Sequence, residues 1–272
     1  MPRLAAAGTS LSPIVLENAR PGDPSWVLTD PADHEVEGYA SATSINRGEP
    51  LRLYIHTTDQ TVALAVYRMG WYGGSGARLA QGEIKLPGQR QPMPIPDPVP
   101  GLVECNWEVS YTLDTNSSNP TDWLSGVYLV KLTAQPSGKQ SYIIFVLRED
   151  DRPSDYLLQS SVTTFQAYNN WGGKSGYPSN STEERWARKL SFNRPYARSQ
   201  HPAGWIGVGA GDFLTSTSIH PTRTISTAGW EYNMVRWLER EGYDVTYSTD
   251  LDTHRNPTFY RGHRAWLSVG HD

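Results

Sequence analysis

The chain has 272 residues, with 24 Lys and Arg against 28 Asp and Glu for a formal net charge of −4. No basic run offers to neutralise a phosphate backbone, which argues against nucleic acid as a partner, and no segment reaches the length of a membrane span. A lone Cys105 excludes an intrachain disulfide framework and a multi-cysteine zinc site.

Ten Trp and fifteen Tyr with only 19% charged residues suit β-rich packing and aromatic-lined pockets, and the length favours two domains. The opening stretch, "MPRLAAAGTSLSPIVL", lacks the continuous apolar run of a signal peptide, which favours the cytoplasm.

From about residue 35 to 150 the grammar is that of short strands with alternation at period two. Leu51, Leu53 and Ile55 share one face, as do Val62, Leu64 and Val66. In "GVYLVKLTA", Val127, Leu129 and Lys131 face one way and Tyr128, Val130 and Leu132 the other. Residues 1–150 are therefore expected to form a β-sandwich. The four glycines of "GWYGGSGAR" (70–78) read as a turn between strands, because no helix follows to make a phosphate-binding loop of them. The Pro-dense stretch 86–101 reads as a surface loop, with strand grammar resuming at "LVECNWEVSYTL". A rival reading of this half is a carbohydrate-binding-like module presenting Trp71, Tyr72, Trp107 and Trp123.

After "REDDRPSD" (148–155) the pattern becomes strand, helix, strand, crossover, strand, so residues 151–272 are expected to open a parallel α/β sheet. The strands are "YLLQSSVTT" (156–164), "YDVTYSTD" (243–250) and "RAWLSVG" (264–270). The helix is "WEYNMVRWLEREG" (230–242), with Trp230, Met234, Trp237 and Leu238 on one face and Gly242 as its stop. Ligands of such sheets bind beyond the carboxyl ends of the strands.

Three places are therefore candidate sites. Tyr168, Asn169, Asn170 and Trp171 follow the first strand and read equally as a site wall or as an Asn- and Gly-built turn. Asp250, Asp252 and His254 follow the second, where helix capping is the simpler reading. His271 and Asp272 follow the third after Gly270; the imidazole could act as acid or base, orient a bound water, or bond a backbone carbonyl. An amidotransferase-like thiol mechanism is excluded, since the only Cys lies in the sandwich half. The insertion 181–227 reads as a lid or site-lining segment, or as a long loop without either role.

The stretches "VYRMGWYGGSGARL", "TTFQAYNNWGGKS", "GWEYNMVRWLEREGYDV" and "AWLSVGHD" resemble, in this order, the N-terminal part of the N,N-dimethylformamidase large (beta) subunit family, over most of residues 14–272. The resemblance implies a β-sandwich joined to a glutamine-amidotransferase-like α/β domain that holds a mononuclear iron and hydrolyses a formamide to formate and an amine. It further implies two tyrosine ligands, matched here to Tyr168 and Tyr232, and a glutamate directly after Asp272, so that the chain is expected to end short of one ligand. Asn169, His271 and Asp272 are the expected catalytic neighbours, a small amide the expected substrate. A second copy or a small subunit is the partner class left open.

Overall fold

The computed structural model describes residues 11–117, 122–215, 229–256 and 258–270. A short helix, α1 (Pro13–Asn18), capped by the Ser12 side chain on Val15 N, precedes the strands. The strands of the first half are β1 (Val36–Ala40), β2 (Ser44–Asn46), β3 (Leu51–Thr57), β4 (Thr61–Met69), β5 (Ala77–Pro87), β6 (Tyr111–Leu113), β7 (Gly126–Gln135) and β8 (Gln140–Arg148). They form two sheets, one ordered β1-β3-β6 and the other β2-β8-β7-β4-β5, antiparallel except for the β2–β8 pair.

The two sheets close on each other as a sandwich-like pair. Leu51, Leu53 and Ile55 of β3 meet Val62, Leu64 and Val66 of β4 and Tyr128, Val130 and Leu132 of β7 in one buried cluster. The alternation read from the sequence is thus the alternation of this core. The opposite face of the five-stranded sheet is covered too: Tyr67 and Met69 of β4, Val127 and Leu129 of β7, and Tyr142 and Val146 of β8 belong to a second core shared with the second half of the chain. That sheet is a middle layer, which is why β7 reads apolar on both faces.

The loop between β4 and β5 is the Gly-rich turn expected at 70–78, with Gly73, Gly74 and Gly76 all at positive φ. Strand grammar resumes later than the sequence suggests, since only Tyr111–Leu113 pairs. The preceding segment instead sends Val103, Cys105 and Trp107 into a small core with Tyr39 and Trp171.

The second half contributes β9 (Ser154–Ser160), α2 (Val162–Tyr168), α3 (Trp230–Arg240), β10 (Val245–Thr249), α4 (Asp250–Arg255) and β11 (His263–Leu267). The strands are parallel in the order β10-β9-β11. The first is shorter than read: the chain turns at Ser161 and residues 162–168 are helical, so Tyr168 sits at a helix end rather than directly on a strand end. The helix 230–240 lies where expected and ends at Gly242, φ 74°. Its buried face, however, is Glu231, Tyr232, Val235, Leu238 and Glu239, while Trp230 and Trp237 are 45% and 43% exposed. The indoles are heavy markers of hydrophobicity, and they drew the sequence-derived stripe off the true one, which buries two carboxylates.

The Asp250–His254 segment is the capped helix that the simpler reading gave. Thr249 and Asp252 form a reciprocal capping box, and Asp252 also accepts from Ser44 Oγ at 2.7 Å and Arg148 Nη1 at 3.0 Å. Asp252→Ala is expected to lower stability by about 2 kcal/mol, read as a reduced urea midpoint, because it removes the cap and leaves Arg148 without this partner. Among the described residues no helix is long and apolar enough to cross a membrane.

Candidate active site

β9 is the central strand of the parallel sheet, with its neighbours added on opposite sides, so a crevice opens at its carboxyl end. Ser160 and Ser161 stand there. Glu231, in the first turn of α3, is 5% exposed and accepts from Ser160 Oγ at 2.6 Å and from the Ser161 backbone N–H at 2.9 Å. Burial pushes its carboxyl up to about 7 against the lowering effect of these two hydrogen bonds, with Asp250 and Asp212 adding to the rise. A carboxyl group that gains or loses its proton near neutrality is thereby held at the strand end.

Asp250 opens α4 beyond the neighbouring strand. Its Oδ2 accepts from the Thr163 N–H at 3.0 Å and closely from the Thr163 hydroxyl, whereas Oδ1 is buried with no partner. Ser161 Oγ is likewise buried and unpartnered. Two buried oxygens with unmet hydrogen-bonding capacity thus lie beside a protonatable carboxyl.

Two phenols adjoin the acids. Tyr196, from the 181–227 insertion, is partly buried; desolvation of its hydroxyl, then Asp212, raise its pKa, with Asp250 and Glu231 contributing. Tyr168 is pushed up to about 12 by burial first, by a hydrogen bond and charge coupling with Tyr177, and by Asp212. Its ring stacks on Tyr177 at 4.6 Å between centroids. Asp212 thus couples to both phenols. The insertion lines the site through Tyr196 and Asp212, while its residues 216–227 lie outside the described residues.

Asn169 is fully buried and commits all of its amide. Its Nδ2 donates to Gln166 Oε1 and Pro195 O, each at 2.9 Å, and its Oδ1 accepts from Trp171 N at 3.1 Å and Ala197 N at 3.0 Å. The bonds to Pro195 and Ala197 bracket Tyr196, so Asn169 ties that phenol to the end of the helix carrying Tyr168. Arg194 extends the tie, donating to the carbonyls of Asn169, Trp171 and Lys174.

Tyr232 has other surroundings. Its ring packs on Trp26 at 5.7 Å and on Phe213 at 5.8 Å, with Arg236 over it, and a Cβ built on Gly76 would fall 2.5 Å from its hydroxyl. That hydroxyl therefore abuts the turn between β4 and β5. His271 and Asp272 lie outside the described residues; they follow β11 and Gly270, whose φ is 84°. Cys105 is buried, and desolvation pushes its thiol up to about 12, in keeping with the exclusion of a thiol mechanism. Of the four aromatics of the carbohydrate-binding reading, Tyr72, Trp107 and Trp123 are 3%, 5% and 6% exposed and lie in the core, whereas Trp71 is partly buried with Arg236 over its ring.

Sequence reading missed Glu231, Tyr196, Asp212 and Asp250 as members of one constellation. Glu231 could have been found as a carboxylate one position from the start of a helix whose i, i+4, i+7 set with Val235 and Leu238 is apolar. Tyr196 and Asp212 come from a segment without any period and carry no such signal. Among the described residues, no three His, Cys, Asp or Glu side chains are placed to hold a metal ion.

No curated protein matches the chain. A solved structure of murine CEACAM1b aligns over 46% of this chain and 62% of its own length, at 13% identity and a TM-score of 0.21, too low to bear on the fold. The family model described as N,N-dimethylformamidase beta subunit-like, C-terminal, matches residues 63–272, a span that takes in most of the middle sheet, both tyrosine-bearing segments and the whole parallel sheet. The chain accordingly belongs to the N,N-dimethylformamidase beta subunit-like family.

Proposed function

We propose that the chain carries the site of an amide hydrolase acting on small linear amides such as formamides, at the carboxyl end of β9 in an amidotransferase-like sheet without its thiol. Family membership supports the reaction class. The observation that carries the location is Glu231, a buried carboxyl raised to about 7 beside the orphaned Oδ1 of Asp250. In its protonated form Glu231 can donate to the departing amine nitrogen, and Asp250 can accept a proton from an attacking water. Asn169 acts as a positioning residue for Tyr196.

The mononuclear iron implied by the resemblance fits this donor chemistry, since phenol and carboxylate oxygens are hard ligands suited to a ferric ion. Tyr168 and Tyr196 are the phenols proposed to hold it. Tyr196 is preferred to Tyr232 because it couples to the three acids, whereas the Tyr232 ring is enclosed by Trp26 and Phe213. When bound, the ion would supply Lewis acidity toward the amide carbonyl. His271 and Asp272 keep the catalytic role that the resemblance implies, and the glutamate that follows this pair in the family pattern is proposed as a further anionic donor.

A chain carrying that glutamate is the one to assay, by iron content and by formate release from dimethylformamide. Tyr196→Phe is expected to lose both iron and turnover, with Tyr232→Phe retaining most of each. The opposite pattern would return the second ligand to Tyr232; loss of neither would remove the site from this sheet end.

A further inference from the structure

We propose that a cavity of about 430 Å³ between the start of β1 and the 170–200 loops, which shares Tyr196 with the site at the end of β9, binds the ammonium end of a small organic amine. This inference does not rest on the hydrolase reading. Glu37 lines the cavity and is 6% exposed. Its Oε2 accepts from Trp171 Nε1 at 2.7 Å and lies 3.0 Å from His34 Nδ1, while its Oε1 is buried without a partner. A desolvated carboxylate oxygen with nothing donating to it calls for a donor from the cavity. His34 is held at φ 77°, a left-handed conformation costly for a residue with a Cβ, and strain of this kind gathers at ligand sites.

The remaining polar groups point to the same ligand chemistry. Asn170 and Gln200 each donate one amide N–H to Asn180 Oδ1, at 3.1 and 2.9 Å, and their carbonyl oxygens remain able to accept. Arg198 is taken up by Asp33 at 2.8 Å and by the Trp205 ring at 4.0 Å. The described lining is therefore rich in acceptors, with its guanidinium already engaged. Val36 and Val208 add apolar wall. The volume is that of a small-molecule pocket, far larger than a bare cation needs, and it suits an ammonium head with an alkyl body.

The test titrates the ¹⁵N-labelled full chain with butylammonium chloride and follows the indole Nε1–H resonance of Trp171, which reports on Glu37 directly. A saturable shift is expected, absent with butanol and weakened about tenfold in Glu37→Gln, as befits loss of a hydrogen bond to a charged group. Gln200→Glu, which adds a carboxylate at the rim, is expected to tighten binding about two- to fivefold and keeps the proposal testable if Glu37→Gln does not fold. No saturable shift, an equal response to butanol, or unchanged affinity in folded Glu37→Gln and Gln200→Glu would overturn it. So would a saturable response to calcium chloride and none to the amine, which would make the cavity a metal site.

Discussion

Glu231→Gln is expected to lower kcat/KM for amide hydrolysis about 10²- to 10⁴-fold, the usual contribution of a positioned proton donor, and to abolish the limb of the pH profile that falls away above about pH 7. Glutamine mimics the protonated acid: it can still accept from the Ser161 N–H and face Ser160, so the fold is retained. Stability should move the other way. The carboxyl has its folded pKa raised above the unfolded value near 4.3, so its favourable contribution is complete below that value and is lost as pH rises through about 7. The loss amounts to about 3 kcal/mol by pH 8 or above. Urea unfolding of the variant should show a flatter pH dependence between 4 and 8 and, at pH 8, a higher midpoint than the parent. A variant that is inactive and also less stable at pH 8 would mean that Glu231 is a packing residue and that its proton has no part in the reaction.

Arg68→Ala is expected to destabilise the chain by about 3–5 kcal/mol, among the largest effects open to a single substitution. Arg68 on β4 is fully buried and donates to both Glu239 oxygens, at 3.0 and 2.8 Å, to Tyr72 Oη at 2.8 Å and to the Ser125 carbonyl at 2.7 Å. Glu239 on α3 also accepts from Asn18 Nδ2 at 2.8 Å and Tyr247 Oη at 2.7 Å. Tyr72 in turn donates to Glu17, which pairs with Arg78. Removing the guanidinium strands a carboxylate out of water. The double change Arg68→Met with Glu239→Met should cost less than Arg68→Ala alone, because it removes both charges together. Chemical denaturation of the three proteins decides the matter.

This network shows where sequence reading stops. The strand faces of β3, β4 and β7 were legible because alternation at period two is the burial pattern, and α3 was legible in extent from its period and its Gly242 stop. Its inward face was not, because the two carboxylates on it are buried only by virtue of partners 171 positions away for Glu239 and 71 for Glu231. No local rule anticipates a Glu that faces inward to meet an Arg from another sheet. The site was legible to the same degree. Strand-end logic led to the 165–180 segment and to Asp250, while Tyr196 and Asp212 come from an aperiodic insertion whose path is set by tertiary bonds such as those of Asn169. Asn169 itself was noticed as a polar residue beside Tyr168, and its saturated amide gives it a positioning role.

The middle layer has a consequence for synthesis. β4, β7 and β8 leave the ribosome long before α3 and β10, which cover their second face, and at ordinary elongation rates the interval is on the order of ten seconds. Throughout that time Met69, Val127, Leu129 and Val146 belong to an apolar surface that only Ile14, Trp26 and Leu28, synthesised earlier, can begin to cover. A nascent chain of this design is a natural client for a holding chaperone, and its yield should depend on chaperone supply more than the stability of the finished fold would suggest. The same surface means that the N-terminal layers, separated from the second half, would carry an uncovered apolar face.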